Sequence, residues 1–178
     1  MKPETRRYAL FAVFAVIAVV LDQATKIWVR ANLPQLGYAG RQVIEGKFIL
    51  RYSENPGVAF GMFQKLPGGR IILTLVAFVA LGLVISYLRK TDASQTRLQV
   101  ALGLIFGGAV GNLIDRIALG AVTDFLVVDV GIWPLNPWPA FNIADAALVV
   151  GVGLMAIDMI WPPKVATTGP AGEASPPV

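Results

Sequence analysis

The chain has 178 residues, of which 56% are hydrophobic and only 15% are charged, and its mean hydropathy is +0.65. Soluble domains carry about a quarter charged residues, and a domain of this size cannot bury so much apolar surface. Disordered chains are polar and highly charged, so disorder is excluded as well. The composition predicts an integral membrane protein. The sequence contains no cysteine and no histidine, which excludes disulfides, thiolate chemistry and the Ser/His/Asp arrangement.

Four apolar segments follow one another along the chain, each long enough for a helix of roughly 20 residues that crosses a bilayer. The predicted spans cover residues 8–29, 71–88, 98–115 and 141–161. Backbone in lipid must satisfy its own hydrogen bonds, so these segments are predicted to be α-helices. The first span has the basic start of a signal peptide. Because it ends in Asp22-Gln23 rather than in small residues, we interpret it as an uncleaved span.

The connections between the spans differ in length and chemistry. In the first, residues 42–52 alternate partly and are rich in β-formers, which predicts a small sheet at the membrane surface. The second connection, residues 89–97, is short and basic, and the third contains a Pro/Trp-rich piece suited to a membrane interface. Residues 162–178 are expected to form a disordered cytoplasmic tail. The predicted fold class is a membrane all-α protein of one domain, residues 1–161, with four transmembrane helices and a small periplasmic β-rich platform between helices 1 and 2.

The distribution of basic residues bears on the orientation of the spans. With four spans, both termini share one side with the short second connection, and that side holds seven of the fifteen bases, against eight on the other side. The raw count does not orient the protein. Bases near span ends and in short loops carry the most weight, and Arg6-Arg7 and Arg89-Lys90 occupy such positions. We therefore expect both termini to be cytoplasmic.

Polar residues gather near one end of the predicted helices, where they are costly unless they face a bundle interior or a wet cavity. In chain order they are Asp22, Lys26, Asn112, Asp115, Arg116, Asp124, Asn142 and Asp145. Each also has a structural interpretation. Asp22 and Lys26, four residues apart, can form an intrahelical ion pair, and Asn142 with Asp145 fits the cap and third position of a helix.

The remaining charged residues near the span ends, and three glycines, can also be explained structurally. Asp124 can be a turn residue, Asp115-Arg116 an interfacial pair, and Asp129 can point to water. Asp158 lies at the opposite end of the spans and is interpreted as structural. Gly103, Gly107 and Gly111 are spaced by four, which predicts close packing of the third span against another helix.

Two carboxylates could still hydrolyse an amide in a protein without histidine or cysteine. Held close together, they cannot both ionise and therefore share a proton. The ionised one takes a proton from water while the protonated one polarises the carbonyl. Asp115, Asp124, Asp129 and Asp145 are all eligible, and their spacing does not select two of them.

Five short motifs, in order, resemble those of the lipoprotein signal peptidase (signal peptidase II) family. They are Asp22-Gln-Ala-Thr-Lys26, Asn55-Pro-Gly-Val-Ala-Phe-Gly61, Gly111-Asn-Leu-Ile-Asp-Arg116, Gly120-Ala-Val-Thr-Asp-Phe125 and Phe141-Asn-Ile-Ala-Asp145. The resemblance covers the chain from the first to the fourth span. It implies an aspartic endopeptidase of the bacterial cytoplasmic membrane, active at its outer face, which cleaves prolipoproteins just before a diacylglyceryl-modified cysteine.

The resemblance also implies roles for single residues. The catalytic pair would be Asp124 and Asp145. Asn112, Arg116 and Asn142 match polar positions around the substrate, and Asn55 belongs to the outer-loop motif. Asp22, Lys26 and Asp115 match positions that we assign to holding the site together. No metal or other cofactor and no nucleic acid is expected. A globomycin-type cyclic peptide would bind as an inhibitor, and a monomer would suffice.

Three other functions compete with this interpretation. A proton-coupled transporter would place acids near the bilayer midplane and would need broken or repeated helices. A scaffold would use its glycine-spaced helix to bind a partner span. A presenilin-type protease expects an acid in a Gly-x-Gly-Asp context, which the sequence lacks.

Overall fold

The computed structural model describes residues 3–56, 69–131 and 137–161. Its four helices are α1 (Pro3–Asn32), α2 (Gly69–Leu88), α3 (Thr96–Ala118) and α4 (Ile143–Ile160). All four contain a segment long and apolar enough to cross a membrane. The predicted class of four apolar helices is therefore confirmed. The tail and the first part of the Pro/Trp-rich piece lie outside the described residues.

Helix α3 forms the centre of the bundle. It packs against α1, α2 and α4, and α1 also contacts α4. The segment of α3 is 61% buried inside the protein, against 11% for α2, which exposes Ile71, Leu75 and Val79. Such exposed aliphatic side chains are suited to contact lipid tails, because side chains and tails are equally apolar.

The glycines spaced by four in α3 form the contact with α1. A Cβ added at Gly103 would lie 2.6 Å from the carbonyl oxygen of Phe11, and one at Gly107 would lie 2.6 Å from that of Ala15. Only glycine permits this approach of two backbones, as the spacing predicted. Helix α1 thus already covers these glycines of α3. This removes the basis for the scaffold interpretation and makes α1 an integral part of the bundle.

A three-stranded antiparallel sheet lies at one end of the bundle. A 3₁₀ turn (Pro34–Ala39) follows α1, and the strands are β1 (Arg41–Ile44), β2 (Phe48–Asn55) and β3 (Val122–Val128), in the order β1-β2-β3. The predicted platform is confirmed, but it is larger than expected, because β3 comes from the connection between α3 and α4. Asp124 lies on this strand opposite Ser53 of β2, so its interpretation as a turn residue was wrong.

The junction between sheet and helices fixes the start of α4. Val29, Leu33 and Phe125 form a small buried core there, with Tyr52 and Ile143 packed against it. Phe141 and Leu126 exchange two backbone hydrogen bonds, of 3.0 and 2.8 Å. The residues that open α4 are therefore attached to β3, next to Asp124. We call this end of the bundle the sheet end.

The opposite end, which we call the loop end, contains the short connection between α2 and α3. There Arg97 Nε lies 3.1 Å from Asp158 Oδ1, and a second nitrogen of Arg97 donates to the carbonyl of Trp161. The pair joins the start of α3 to the end of α4. This contact agrees with the structural interpretation of Asp158.

Candidate active site

Asp124 lies on β3 with its carboxylate almost completely buried, at 3% exposure. Its Oδ1 accepts a hydrogen bond of 2.7 Å from Asn142 Nδ2, and its Oδ2 accepts one of 2.9 Å from Asn55 Nδ2. Within the described part of the chain, no cation forms an ion pair with it. Its hydrogen-bond partners named here are two neutral amides, so no ion pair keeps this carboxylate in its ionised form.

Asp145 is the third residue of α4 and closes a capping box with Asn142. Its Oδ2 accepts from the backbone N–H of Asn142 at 3.2 Å, and the Asn142 side chain accepts from the backbone N–H of Asp145 at 2.9 Å. The other oxygen, Oδ1, accepts from Asn112 Nδ2 at 2.8 Å. The capping interpretation is thus correct, and it leaves the carboxylate in the same cluster as Asp124.

Asn142 connects the two carboxylates. Its Nδ2 donates both to Asp124 Oδ1 and, at 3.1 Å, to Asn112 Oδ1. Asn112 in turn donates to Asp145. The two amides and two carboxylates, on α3, β3 and α4, therefore form one continuous hydrogen-bonded cluster. Together with Asn55 we call it the candidate site.

Lys26 determines how Asn112 is oriented. Its side chain is fully buried, and its Nζ lies 2.9 Å from Asn112 Oδ1, 2.9 Å from Asp22 Oδ2 and 3.4 Å from Asp115 Oδ2. Because an ammonium group donates only, it binds the oxygen of the Asn112 amide and leaves Nδ2 to face Asp145. The three protons of the ammonium thus have three acceptors.

Asp22 joins α1 to the start of α4. Its Oδ1 accepts from the backbone N–H of Ala144 at 2.9 Å, so it satisfies an amide in the first turn of α4 that has no partner within the helix. Gly111 makes room for this carboxylate, since a Cβ at Gly111 would lie 2.5 Å from Asp22 Oδ2. The negative charge also suits the positive end of the helix dipole.

Asp115 holds the strand that carries Asp124. Its Oδ2 accepts from the backbone N–H of Thr123 at 2.9 Å, while Arg30 Nη1 lies 3.4 Å from its Oδ1 and donates to Thr123 Oγ1 at 3.0 Å. Asp115 therefore already contacts a cation and a backbone N–H group, which makes it a poor candidate for proton transfer. Its predicted role in holding the site together fits this geometry.

Sequence reasoning missed Gln23, Arg30 and Thr123. Gln23 Nε2 donates to the carbonyl of Gly111 at 3.0 Å and lies close to the carboxylates of Asp22 and Asp115. Arg30 could have been found, because Asp22, Lys26 and Arg30 are spaced by four and share one helix face. We call these three residues the polar stripe of α1.

Asp129 lies apart from the cluster. It is exposed at the end of β3, and its Oδ1 accepts from the backbone N–H of Gly131 at 2.8 Å, a local turn contact. Among the four eligible acids, only Asp124 and Asp145 therefore belong to one hydrogen-bonded cluster and lack a cation partner among the described residues. Asp124 is buried and Asp145 is half-buried. The residues that the structure describes include no group of three acids that could hold a metal ion.

Burial raises the pKa of Asp124 to about 6, and the charge of Asp145 acts in the same direction. The amides of Asn55 and Asn142 and the charge of Lys26 oppose this rise. A carboxyl group in this position can hold a proton under conditions where an ordinary aspartate is ionised. Asp124 can therefore serve as the proton donor of a carboxylate pair.

Arg116 lies beside the cluster with part of its hydrogen-bonding capacity unused. Its charge acts on Asp124 and Asp145, but it forms no ion pair with either of them. Its Nη1 reaches the carbonyl of Asn112 only at 3.5 Å, and its buried Nε has no partner among the described residues. A guanidinium N–H group of this kind is available to a bound carbonyl.

Comparison with known proteins places the chain among peptidases. A family model described as signal peptidase (SPase) II matches residues 14–161. The lipoprotein signal peptidase of Geobacter metallireducens is 42% identical over 160 residues, which cover 90% of this chain and 94% of that protein. The lipoprotein signal peptidase of Symbiobacterium thermophilum is 44% identical over 151 residues, covering 85% of this chain and 94% of that protein.

Solved structures agree in fold. A bacterial membrane enzyme solved by the in meso method at 1.9 Å resolution superposes with a TM-score of 0.73 at 29% identity, over 86% of this chain and 94% of that chain. Another, at 2.3 Å resolution, gives a TM-score of 0.70 at 30% identity. The protein is thus a multi-pass bacterial membrane peptidase, and it belongs to the signal peptidase II family.

Proposed function

We propose that this protein removes the signal peptide from prolipoproteins by cleaving before a cysteine that carries diacylglycerol, with Asp124 and Asp145 as the catalytic pair. The observation that carries the proposal is the amide-bridged pair of carboxylates at the sheet end, buried Asp124 and half-buried Asp145. The other buried acids, Asp22, Asp115 and Asp158, are each paired with a cation.

In the proposed mechanism, a water molecule lies between the pair and the scissile carbonyl. Ionised Asp145 takes a proton from this water, whose oxygen attacks the carbonyl carbon, while Asp124 gives its proton to the carbonyl oxygen. The C–N bond of the tetrahedral intermediate then breaks. The proton held by Asp145 passes to the amine that leaves, and a hydroxyl of the intermediate returns a proton to Asp124, which forms the carboxyl product and restores the pair. Asp124 is assigned the proton because burial raises its pKa to about 6.

The neighbouring polar residues would position the reacting groups. Asn112 and Asn142 hold both carboxylates without neutralising them, and Asn55 holds Asp124 from the side of β2. The buried Nε of Arg116, which has no partner among the described residues, would bind a substrate carbonyl near the pair. Asp22, Lys26 and Asp115 would act through these residues and through the backbone of α4 and β3.

The position of the site at the end of the helices suits a lipid-modified substrate. The acyl chains of the cysteine and the apolar signal segment remain in the bilayer, so the bond between them lies at the membrane surface. With both termini cytoplasmic, the sheet end faces the periplasm of the bacterial inner membrane. One chain contributes every residue of the proposed site, so a monomer suffices, and a globomycin-type inhibitor would occupy the same pair.

A transporter finds less support than a peptidase. The acids of a proton-coupled transporter would lie near the bilayer midplane, along the path of the proton. In this chain the paired acids lie beside a sheet, and the described part of α2 carries Arg70 as its only charged residue, in its first turn.

The test uses the purified protein in detergent micelles with a synthetic diacylglyceryl prolipoprotein peptide. Asp124→Asn and Asp145→Asn are each expected to lower kcat by about 10²–10⁴-fold, the contribution typical of acid–base groups. Asp129→Asn is the matched control, because the same change is made on an exposed acid that directly follows the strand of Asp124. Normal cleavage by either isosteric variant, or a large loss in the control, would contradict the assignment.

A further inference from the structure

A cavity of about 400 Å³ lies where α1 meets the sheet. It is formed by the last turns of α1, the 3₁₀ turn and the start of β1. The residues that line it are Trp28, Asn32, Leu33, Leu36, Gly40 and Arg41. None of them belongs to the candidate site, so the proposed chemistry gives this cavity no role.

Arg41 gives the cavity a positive charge. It is exposed, and it forms no ion pair with any residue that the structure describes. The strand register supports its placement in the wall. Arg41 pairs with Leu50 of β2, so both side chains lie on one face of the sheet, and Leu50 packs against the small core that contains Leu33. An anion in the cavity would therefore meet a guanidinium group.

The exposed face of α1 leads from the membrane interior to this cavity. Ile17, Leu21 and Trp28 are exposed apolar side chains, and their spacing of four and seven residues places them on one helix face. From Ile17 to Trp28 the helix rises about 16 Å, which is about half of a hydrocarbon core of roughly 30 Å. Trp28 lies near the end of the segment that can cross a membrane, where tryptophan suits the boundary with the headgroups. The cavity beyond Trp28 is therefore at headgroup level.

The polar groups of the cavity complement a phosphate. Arginine presents its N–H groups in a fork that matches phosphate oxygens. Asn32 Nδ2 donates one proton to the carbonyl of Trp28 at 2.8 Å, and the second proton of that amide points elsewhere. A zwitterionic headgroup would also bring a cation, for which the described lining offers no carboxylate. The chemistry of the lining thus favours a lipid of net negative charge.

We propose that this cavity binds the phosphate-containing headgroup of an anionic phospholipid, whose acyl chain lies along Ile17, Leu21 and Trp28. A volume of about 400 Å³ is within the range of small-molecule sites, about 300–1,000 Å³. Because Arg41 is the first residue of β1, the bound lipid would hold the sheet at the membrane surface. The proposal does not depend on the assignment of the catalytic pair.

The experiment uses Trp28 as the reporter of its own cavity. The protein is placed in phosphatidylcholine vesicles that contain increasing fractions of brominated phosphatidylglycerol or, separately, brominated phosphatidylcholine with the same acyl chains. Bromine quenches adjacent tryptophans, and the signal of Trp28 is the difference from Trp28→Phe, measured in each background. Phosphatidylglycerol is expected to quench Trp28 at an about fivefold lower fraction, the size of an exposed charge pair. Arg41→Gln is expected to make the two lipids equal.

Lys47→Gln is the charge-matched control, because it removes one exposed base from the turn between β1 and β2. It is expected to keep the fivefold preference. Glycerol phosphate in excess is expected to leave the quenching by the brominated phosphatidylglycerol unchanged, because it lacks acyl chains. The proposal would be overturned by equal quenching in the wild-type protein, by an unchanged preference in Arg41→Gln, by the same loss in Lys47→Gln, or by displacement with glycerol phosphate.

Discussion

Buried acids occur at both ends of the helical bundle, and their partners differ. At the loop end, Asp158 faces Arg97, which is 35% exposed, and the pair joins two helix ends. At the sheet end, Asp22 and Asp115 share Lys26, whereas buried Asp124 and its half-buried neighbour Asp145 receive hydrogen bonds from amides. Burial of an acid therefore does not indicate chemistry. The informative feature is a buried acid whose partners leave it able to gain or lose a proton.

The largest expected effect comes from removing the cation of the sheet end. Lys26→Met would leave Asp22 and Asp115 buried without their shared ammonium group, and breaking a buried pair costs about 3–5 kcal/mol. The free energy of unfolding, measured by denaturation in mixed micelles, is expected to fall by this amount. Lys47→Met, at an exposed turn, should change it little. A loss below about 1 kcal/mol would show that the acids are stabilised in another way.

A second test displaces an acid without changing any charge. Gly111→Ala would place a Cβ 2.5 Å from Asp22 Oδ2 and push the carboxylate away from Lys26 and the start of α4. Overpacking of this kind costs about 1–3 kcal/mol. Small displacements of catalytic groups can cost about 100-fold in rate, so kcat is expected to fall strongly.

The matched control for this test is Gly153→Ala, because no atom lies within 4 Å of its added Cβ. It should leave both thermal stability and kcat near the wild-type values. Equal behaviour of the two alanine variants would mean that Gly111 is not needed for the contact between Asp22 and α4.

A third test examines the amide partners through pH. The proposed mechanism needs protonated Asp124, so cleavage should decline as pH rises through about 6. Asn55 stabilises the ionised form and lowers the pKa, so Asn55→Ala should raise it. The alkaline limb of kcat is expected to move upward by about one pH unit. Asn32→Ala, which removes an exposed amide far from the pair, should leave the limb in place. A limb that moves downward in Asn55→Ala would contradict the assignment of the proton.

The smallest effect is expected at the loop end. Asp158→Asn removes an ion pair with a partly exposed arginine, which is worth about 1 kcal/mol or less. Stability should fall slightly and cleavage should not change. A tenfold loss of kcat/KM would mean that the two ends are coupled, which would contradict their separation into structural and chemical acids.

Much of this architecture could be predicted from the sequence because it depends on local patterns. Apolar length predicted the four helices, glycine spacing predicted the contact of α3, and β-formers predicted β1 and β2. The third strand was not predicted, because Val122–Val128 pairs with residues of a different connection and local periodicity does not identify a distant partner. For the same reason, the spacing of the acids could not distinguish Asp124, which lies on β3, from Asp129, which follows the last residue of that strand.

The capping box at the start of α4 has a consequence for drug resistance. Asp145 both closes the first turn of a membrane helix and, in the proposed mechanism, activates water. A substitution that weakened an inhibitor bound to this carboxylate would also unravel the helix start or abolish turnover. Escape mutations are therefore expected on the rim of the site, for example on β2 beside Asn55, rather than at the helix start.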